Sequence, residues 1–126
     1  MMLRLSRSFA VIVSIVLLTG CVTNQSKYSW GKYDQSLYDY YKHPGDTADY
    51  MSALRAAIDE ASIERPVAPG IYAEYGYMLM QQKKYDDAVE YFEREKAAWP
   101  ESAQFMDRMI RTARLGVEPG VQGDET

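Results

Sequence analysis

The chain has 126 residues, with 14 lysines and arginines against 18 aspartates and glutamates, one histidine, and a net charge of −4. That length allows one small domain once a leader is set aside, and the acidic balance argues against nucleic acid and against a basic membrane-binding face. The single cysteine excludes an internal disulfide, so side-chain packing must supply the stability.

Met1 to Arg7 carries two arginines and no acid, and Ser8 to Leu18 (SFAVIVSIVLL) is apolar apart from two serines. Such a run is shorter than the roughly 20 residues that span a bilayer, but it suits the apolar core of a secretory signal. Leu18-Thr19-Gly20-Cys21 resembles the bacterial lipoprotein box, in which a peptidase cuts before the cysteine and the cysteine is acylated. The resemblance implies a signal peptide over residues 1–20 and a lipid bilayer as partner through Cys21. One acyl chain holds a protein only marginally, at about 0.8 kcal/mol per buried methylene. The lipoprotein modification attaches three, which makes an effectively permanent anchor. Valine rather than aspartate at the second mature position, Val22, implies the periplasmic face of the outer membrane. Loss of the leader removes Arg4 and Arg7, leaving 12 basic and 18 acidic residues, a net charge of −6.

Residues 21–29 read as a lipidated tether. Val22 to Ser29 (VTNQSKYS) is short and polar, and eight extended residues reach at most about 29 Å. The domain expected over residues 30–116 therefore stays near the membrane.

Five helices are predicted within that domain, and no stretch alternates with period two for long enough to make a strand. Trp30, Tyr33, Leu37 and Tyr41 form the inward stripe of the first, which His43-Pro44-Gly45 ends. Asp46 or Thr47 can cap the second, whose stripe is Met51, Leu54, Ile58 and Ala61. Pro66 and Pro69-Gly70 break the chain again. The third helix carries Tyr72, Tyr75, Met78 and Leu79 and fades in the polar QQKK. The fourth opens at Tyr85-Asp86-Asp87, buries Ala88, Val89, Phe92 and Trp99, and ends at Pro100. The fifth, from about Ser102 to Leu115, turns Phe105, Met106, Met109 and Ile110 inward, with Gly116 as its C-cap. Residues 117–126 (VEPGVQGDET) are expected to be a disordered tail.

An internal period is present. Pro66 and Pro100 lie 34 residues apart, as do Tyr38 and Tyr72, Tyr41 and Tyr75, and Ile58 and Phe92. This is the period of the tetratricopeptide repeat, a helix–turn–helix unit. In a unit from Pro69 to Ser102, Gly76, Ala88, Phe92 and Pro100 match its eighth, twentieth, twenty-fourth and thirty-second positions. Gly76 and Ala88 are small where the two helices should cross. Glu95 departs from the small residue usual at the twenty-seventh position and reads as a looser junction. A degenerate unit over about residues 35–68 precedes this one. The fold expected is all-α, with tetratricopeptide-like helical hairpins.

The whole chain also resembles an uncharacterised family of small proteobacterial lipoproteins, through the lipobox and the aromatic stretch YSWGKYDQSLYDYYKHPGD, Tyr28 to Asp46. Members are often encoded beside a lipoprotein similar to the curli secretion channel, which implies a shared envelope assembly and no particular chemistry.

Catalysis has little to work with. His43 lies in a turn beside proline, and no second histidine or free cysteine is at hand for a metal or a nucleophilic pair. No enzyme, cofactor, metal site or small-molecule substrate is expected. Binding is favoured instead. Resemblance to tetratricopeptide proteins places the groove-lining positions at Gly70, Ala73, Tyr77, Met80 and Gln81. Gln104, Asp107 and Arg111 of the last helix join them, with Arg108 beside. The clamp residues for a free peptide C-terminus are absent. Arg108, Arg111 and Arg114 make a basic stripe, which helix-dipole compensation also explains. Tyr28, Tyr38 and Tyr40 cannot all share the inward face of the first helix, and the exposed remainder suggests a partner surface. The expected role is a protein-interaction adaptor or assembly factor for other envelope proteins. The alternative is a structural envelope lipoprotein that self-associates.

Overall fold

The structure is a computed structural model that describes residues 26–116. The expectations placed on residues 1–25 and 117–126, namely the signal peptide, acylation of Cys21 and the disordered tail, lie outside the described residues. Within them the chain is all-α. Its helices are α1 (Tyr33–Lys42), α2 (Thr47–Asp59), α3 (Ile71–Gln81), α4 (Tyr85–Ala98) and α5 (Ala103–Arg114), with a 3-10 turn at Pro100–Ser102 before α5. Among the described residues no helix is long and apolar enough to cross a membrane.

Each helix packs on the next in sequence, so the middle helices bury two sides and the end helices one. The breaks fall at the expected punctuation. Gly70 (φ +92°) leads into α3 and Gly116 (φ +64°) follows α5, both in the left-handed region that favours glycine. Asp46 immediately precedes α2, but its side chain makes no capping hydrogen bond.

Phe92, Leu54, Ile71, Met80 and Met106 are the largest fully buried side chains, each adding about 1.5–3 kcal/mol on burial. The crossing of α3 and α4 is as tight as the small residues require. A Cβ at Gly76 would lie 2.8 Å from Phe92 Cε1 and 3.2 Å from the Ala88 carbonyl oxygen.

Several packing expectations need correction. In α1, Leu37 (38% exposed) and Tyr41 (78%) face outward, and Tyr33 and Tyr40 pack inward with Trp30. Tyr40 stacks on Tyr50 with ring centroids 4.7 Å apart, so the inward phase is set by the pair seven residues apart. Phe105, expected inside, is 52% exposed. The tether also ends earlier than residue 29. Ser29 is buried; its N–H donates to the Pro66 carbonyl at 2.8 Å and its hydroxyl to the Ala57 carbonyl at 2.9 Å. Tyr28 meets Trp99 edge-on at 5.5 Å. The folded part therefore begins at Tyr28, two residues before the expected start.

Glu95 marks no loose junction. It is 3% exposed, and its Oε1 accepts the Gly70 N–H at 2.8 Å. It thus serves the N-terminus of α3, whose first N–H groups lack intrahelical partners.

Candidate functional site

A helix array in which α3 and α5 both flank α4 leaves a groove between the outer two. Ala73, Glu74 and Tyr77 of α3, Phe92 of α4, and Phe105, Met106 and Met109 of α5 enclose a cavity of about 200 Å³ there. Tyr77, 38% exposed, and Phe105, 52% exposed, stand at its two sides. Helical spacing explains the α5 wall. At 100° per residue Phe105 and Met109 lie 40° apart, at the edge of the stripe that buries Met106 and Ile110.

The expected binding residues divide. Ala73 and Tyr77 line the cavity. Gln81, Gln104, Arg108 and Arg111 are exposed but outside its lining. Met80 is wholly buried in the core and cannot meet a partner. The repeat position assigned to it assumed an open face at the end of α3, whereas α2 and α4 cover that helix on two sides. Asp107 faces α4, where it takes a hydrogen bond from Lys96. Phe105, Met106 and Met109 carry the pattern of core residues. Their i, i+4 and i, i+3 spacing identified the right face of α5 but not which edge of it stays open.

The basic stripe divides as well. Arg114 approaches Glu93 of α4 at 3.9 Å, while Arg108 and Arg111 form no ion pair among the described residues. The Arg108 guanidinium lies 5.7 Å from the Phe105 ring centre, which puts positive charge at the α5 rim of the groove.

The only carboxylate in the lining, Glu74, is already engaged. Tyr33 Oη donates to its Oε1 at 2.7 Å, and Tyr50 Oη donates to its Oε2. Burial first, then the hydrogen bond and charge of Glu74, push the Tyr33 hydroxyl up to about 12. The same causes raise Tyr50 further. Both phenols therefore stay protonated and donate at any physiological pH. Glu95, at the N-terminus of α3, titrates above the ordinary glutamate range. Burial outweighs its backbone hydrogen bonds, and its Oε2 has no partner among the described residues. His43 is exposed at the α1–α2 turn.

The arrangement has an apolar slot, a basic rim and no free nucleophile or base within the slot. Residues 27–109 match a family model described as a domain of unknown function (DUF4810), and the chain belongs to that family. No curated protein and no solved structure matches the chain.

Proposed function

We propose that this member of the DUF4810 family is a periplasm-facing outer-membrane lipoprotein, anchored through acylated Cys21. Its tetratricopeptide-like array acts as a protein-interaction adaptor or assembly factor for an envelope complex. A lipoprotein similar to the curli secretion channel is the first partner to test. The α3–α5 groove is the observation that carries the reading, because Tyr77 and Phe105 present aromatic surface beside a cavity too small for most ligands, which occupy about 300–1,000 Å³. Aromatic side chains and arginine are the types that interfaces favour. Fold analogy alone would assign no role. The lipobox at residues 18–21 supports the anchor.

A photo-crosslinker in place of Tyr77 in intact cells, followed by mass spectrometry, tests the adaptor. Capture of another envelope protein is expected, and recovery of this chain alone would count against it. Cys21→Ala should abolish palmitate labelling of the chain; retained label would remove the anchor. A structural, self-associating role is favoured by one feature only, the exposed Leu37, Tyr38 and Tyr41 on α1. A stable oligomer in light scattering would support it.

A further inference from the structure

Resting on the reading of the groove as a docking site, we infer that its ligand is an acidic protein segment with one bulky apolar anchor, the anchor entering between Tyr77 and Phe105 and the carboxylates lying over α5. The cavity sets the anchor. About 200 Å³ walled by Ala73, Phe92, Phe105, Met106 and Met109 accepts one large side chain and offers almost no polar group to it. The rim sets the charge. Arg108 lies against Phe105 and has no ion-pair partner among the described residues, whereas Arg111 sits a further 60° round the helix, away from the groove. Guanidinium groups suit carboxylates because their planar fork can give two parallel hydrogen bonds. On a chain of net charge −4 such a local positive edge also steers an acidic partner towards this face and away from the rest of the surface.

The opposite wall sets the direction. Glu74 lines the α3 side, and both its oxygens already accept tyrosine hydroxyls. Each oxygen keeps a further lone pair, and the negative charge repels an acid placed there. An acidic segment is therefore confined to the α5 side of its anchor.

The test uses the detergent-solubilised full chain and two fluorescent probe peptides, each holding one phenylalanine, flanked by glutamates in one and by lysines in the other. Anisotropy titrations at low salt should show the glutamate probe binding at least tenfold more tightly, with the preference shrinking as salt rises. Reversing the rim with Arg108→Glu should invert the preference and move the melting temperature little, since that side chain is exposed and lies before the last turn of α5. Phe105→Ala should weaken both probes alike. Equal binding of the two probes that Phe105→Ala abolishes would keep the groove as a docking site and overturn the acidic ligand. A preference that survives the reversal, or no binding of either probe both by the full chain and by one shortened after Gly116, would overturn it too. A chain shortened after Gly116 that alone binds the glutamate probe would show that residues 117–126, which carry Glu118, Asp124 and Glu125, compete for the rim. That would support the charge assignment from within the chain.

Discussion

Gly76 and Glu95 show how single side chains hold the α3–α4 pair. At Gly76 two effects oppose one another. Replacing glycine within a helix gains about 1 kcal/mol of propensity, while overpacking a full core costs about 1–3 kcal/mol. Phe92 is fully buried and the Ala88 carbonyl is backbone, so neither can retreat cheaply. Gly76→Ala should come out slightly destabilising, and Gly76→Leu should lower stability by the upper end of that range in urea denaturation. An unchanged midpoint for the leucine variant would place the crossing elsewhere. Glu95 calls for a pH experiment. Its carboxyl titrates higher in the fold than the ordinary value of 4.5, so the fold favours its neutral form. That contribution is whole below pH 4.5 and drains as pH rises through the raised value. Glu95→Gln keeps an oxygen for the Gly70 N–H and never charges. The stability of the native chain relative to this variant should therefore fall as pH rises above 4.5. A difference that stays flat or grows with pH would mean that the capping bonds at α3 outweigh burial.

The first helix differs in kind from the four behind it, because none of its residues is fully buried. Its attachment is aromatic and polar: Tyr40 on Tyr50, Tyr33 beside Tyr50, and both Tyr33 and Tyr50 hydroxyls on Glu74. These contacts tie α1 and α2 to α3. Hydrogen bonds to a charged group contribute about 1.5–3 kcal/mol each, so Tyr50→Phe should cost that much at neutral pH without disturbing the groove's apolar walls. High pH should act on the same tie. The Tyr33 hydroxyl moves from 10.0 to about 12 in the fold, so its contribution is intact below pH 10 and is lost as pH climbs through 12. Unfolding by alkali should begin with α1, seen as near-ultraviolet tyrosine dichroism from the Tyr40–Tyr50 stack lost before helical dichroism collapses. Simultaneous loss of both signals would mean that α1 is not the weak element. This helix also explains why its orientation was hard to read from sequence. Tyrosines occupy positions 33, 38, 40 and 41, so apolar spacing fits two phases, and the stacking partner Tyr50 decides between them. The α4 start at Tyr85 and the crossing at Gly76 were plain, because acids, small residues and Pro100 agreed there.

Across the chain, sequence pattern located helices well and openness poorly. Whether Phe105 or Met80 faces a partner depends on which neighbours cover α5 and α3, and a single helix's periodicity holds no record of its neighbours. The same limitation hid the true start of the fold. Tyr28 and Ser29 sit in a polar octet, VTNQSKYS, that has no periodicity at all. Their partners Ala57, Pro66 and Trp99 come from three later parts of the chain. The two Ser29 hydrogen bonds contribute about 1 kcal/mol each and the edge-on aromatic pair about 0.5–1.5 kcal/mol, roughly 3 kcal/mol together. For a domain of this size each kcal/mol moves the melting temperature by about 4–8 °C. A chain beginning at Ser26 should thus melt roughly 12–24 °C above one beginning at Trp30. The Ser29→Ala variant of the longer chain should fall between them, since it loses the bond to Ala57 and keeps the one to Pro66. Calorimetry on the three settles the boundary, and equal melting temperatures would return residues 28 and 29 to the tether. Their docking also has a consequence for position at the membrane. On the proposed anchoring through Cys21, only Val22 to Lys27 would separate the lipid from the folded domain, a reach of about 20 Å when extended. An arm of that length would hold the groove within a domain's width of the bilayer, so on the proposed anchoring crosslinks from Tyr77 should become scarcer when a long glycine–serine spacer is inserted after Asn24.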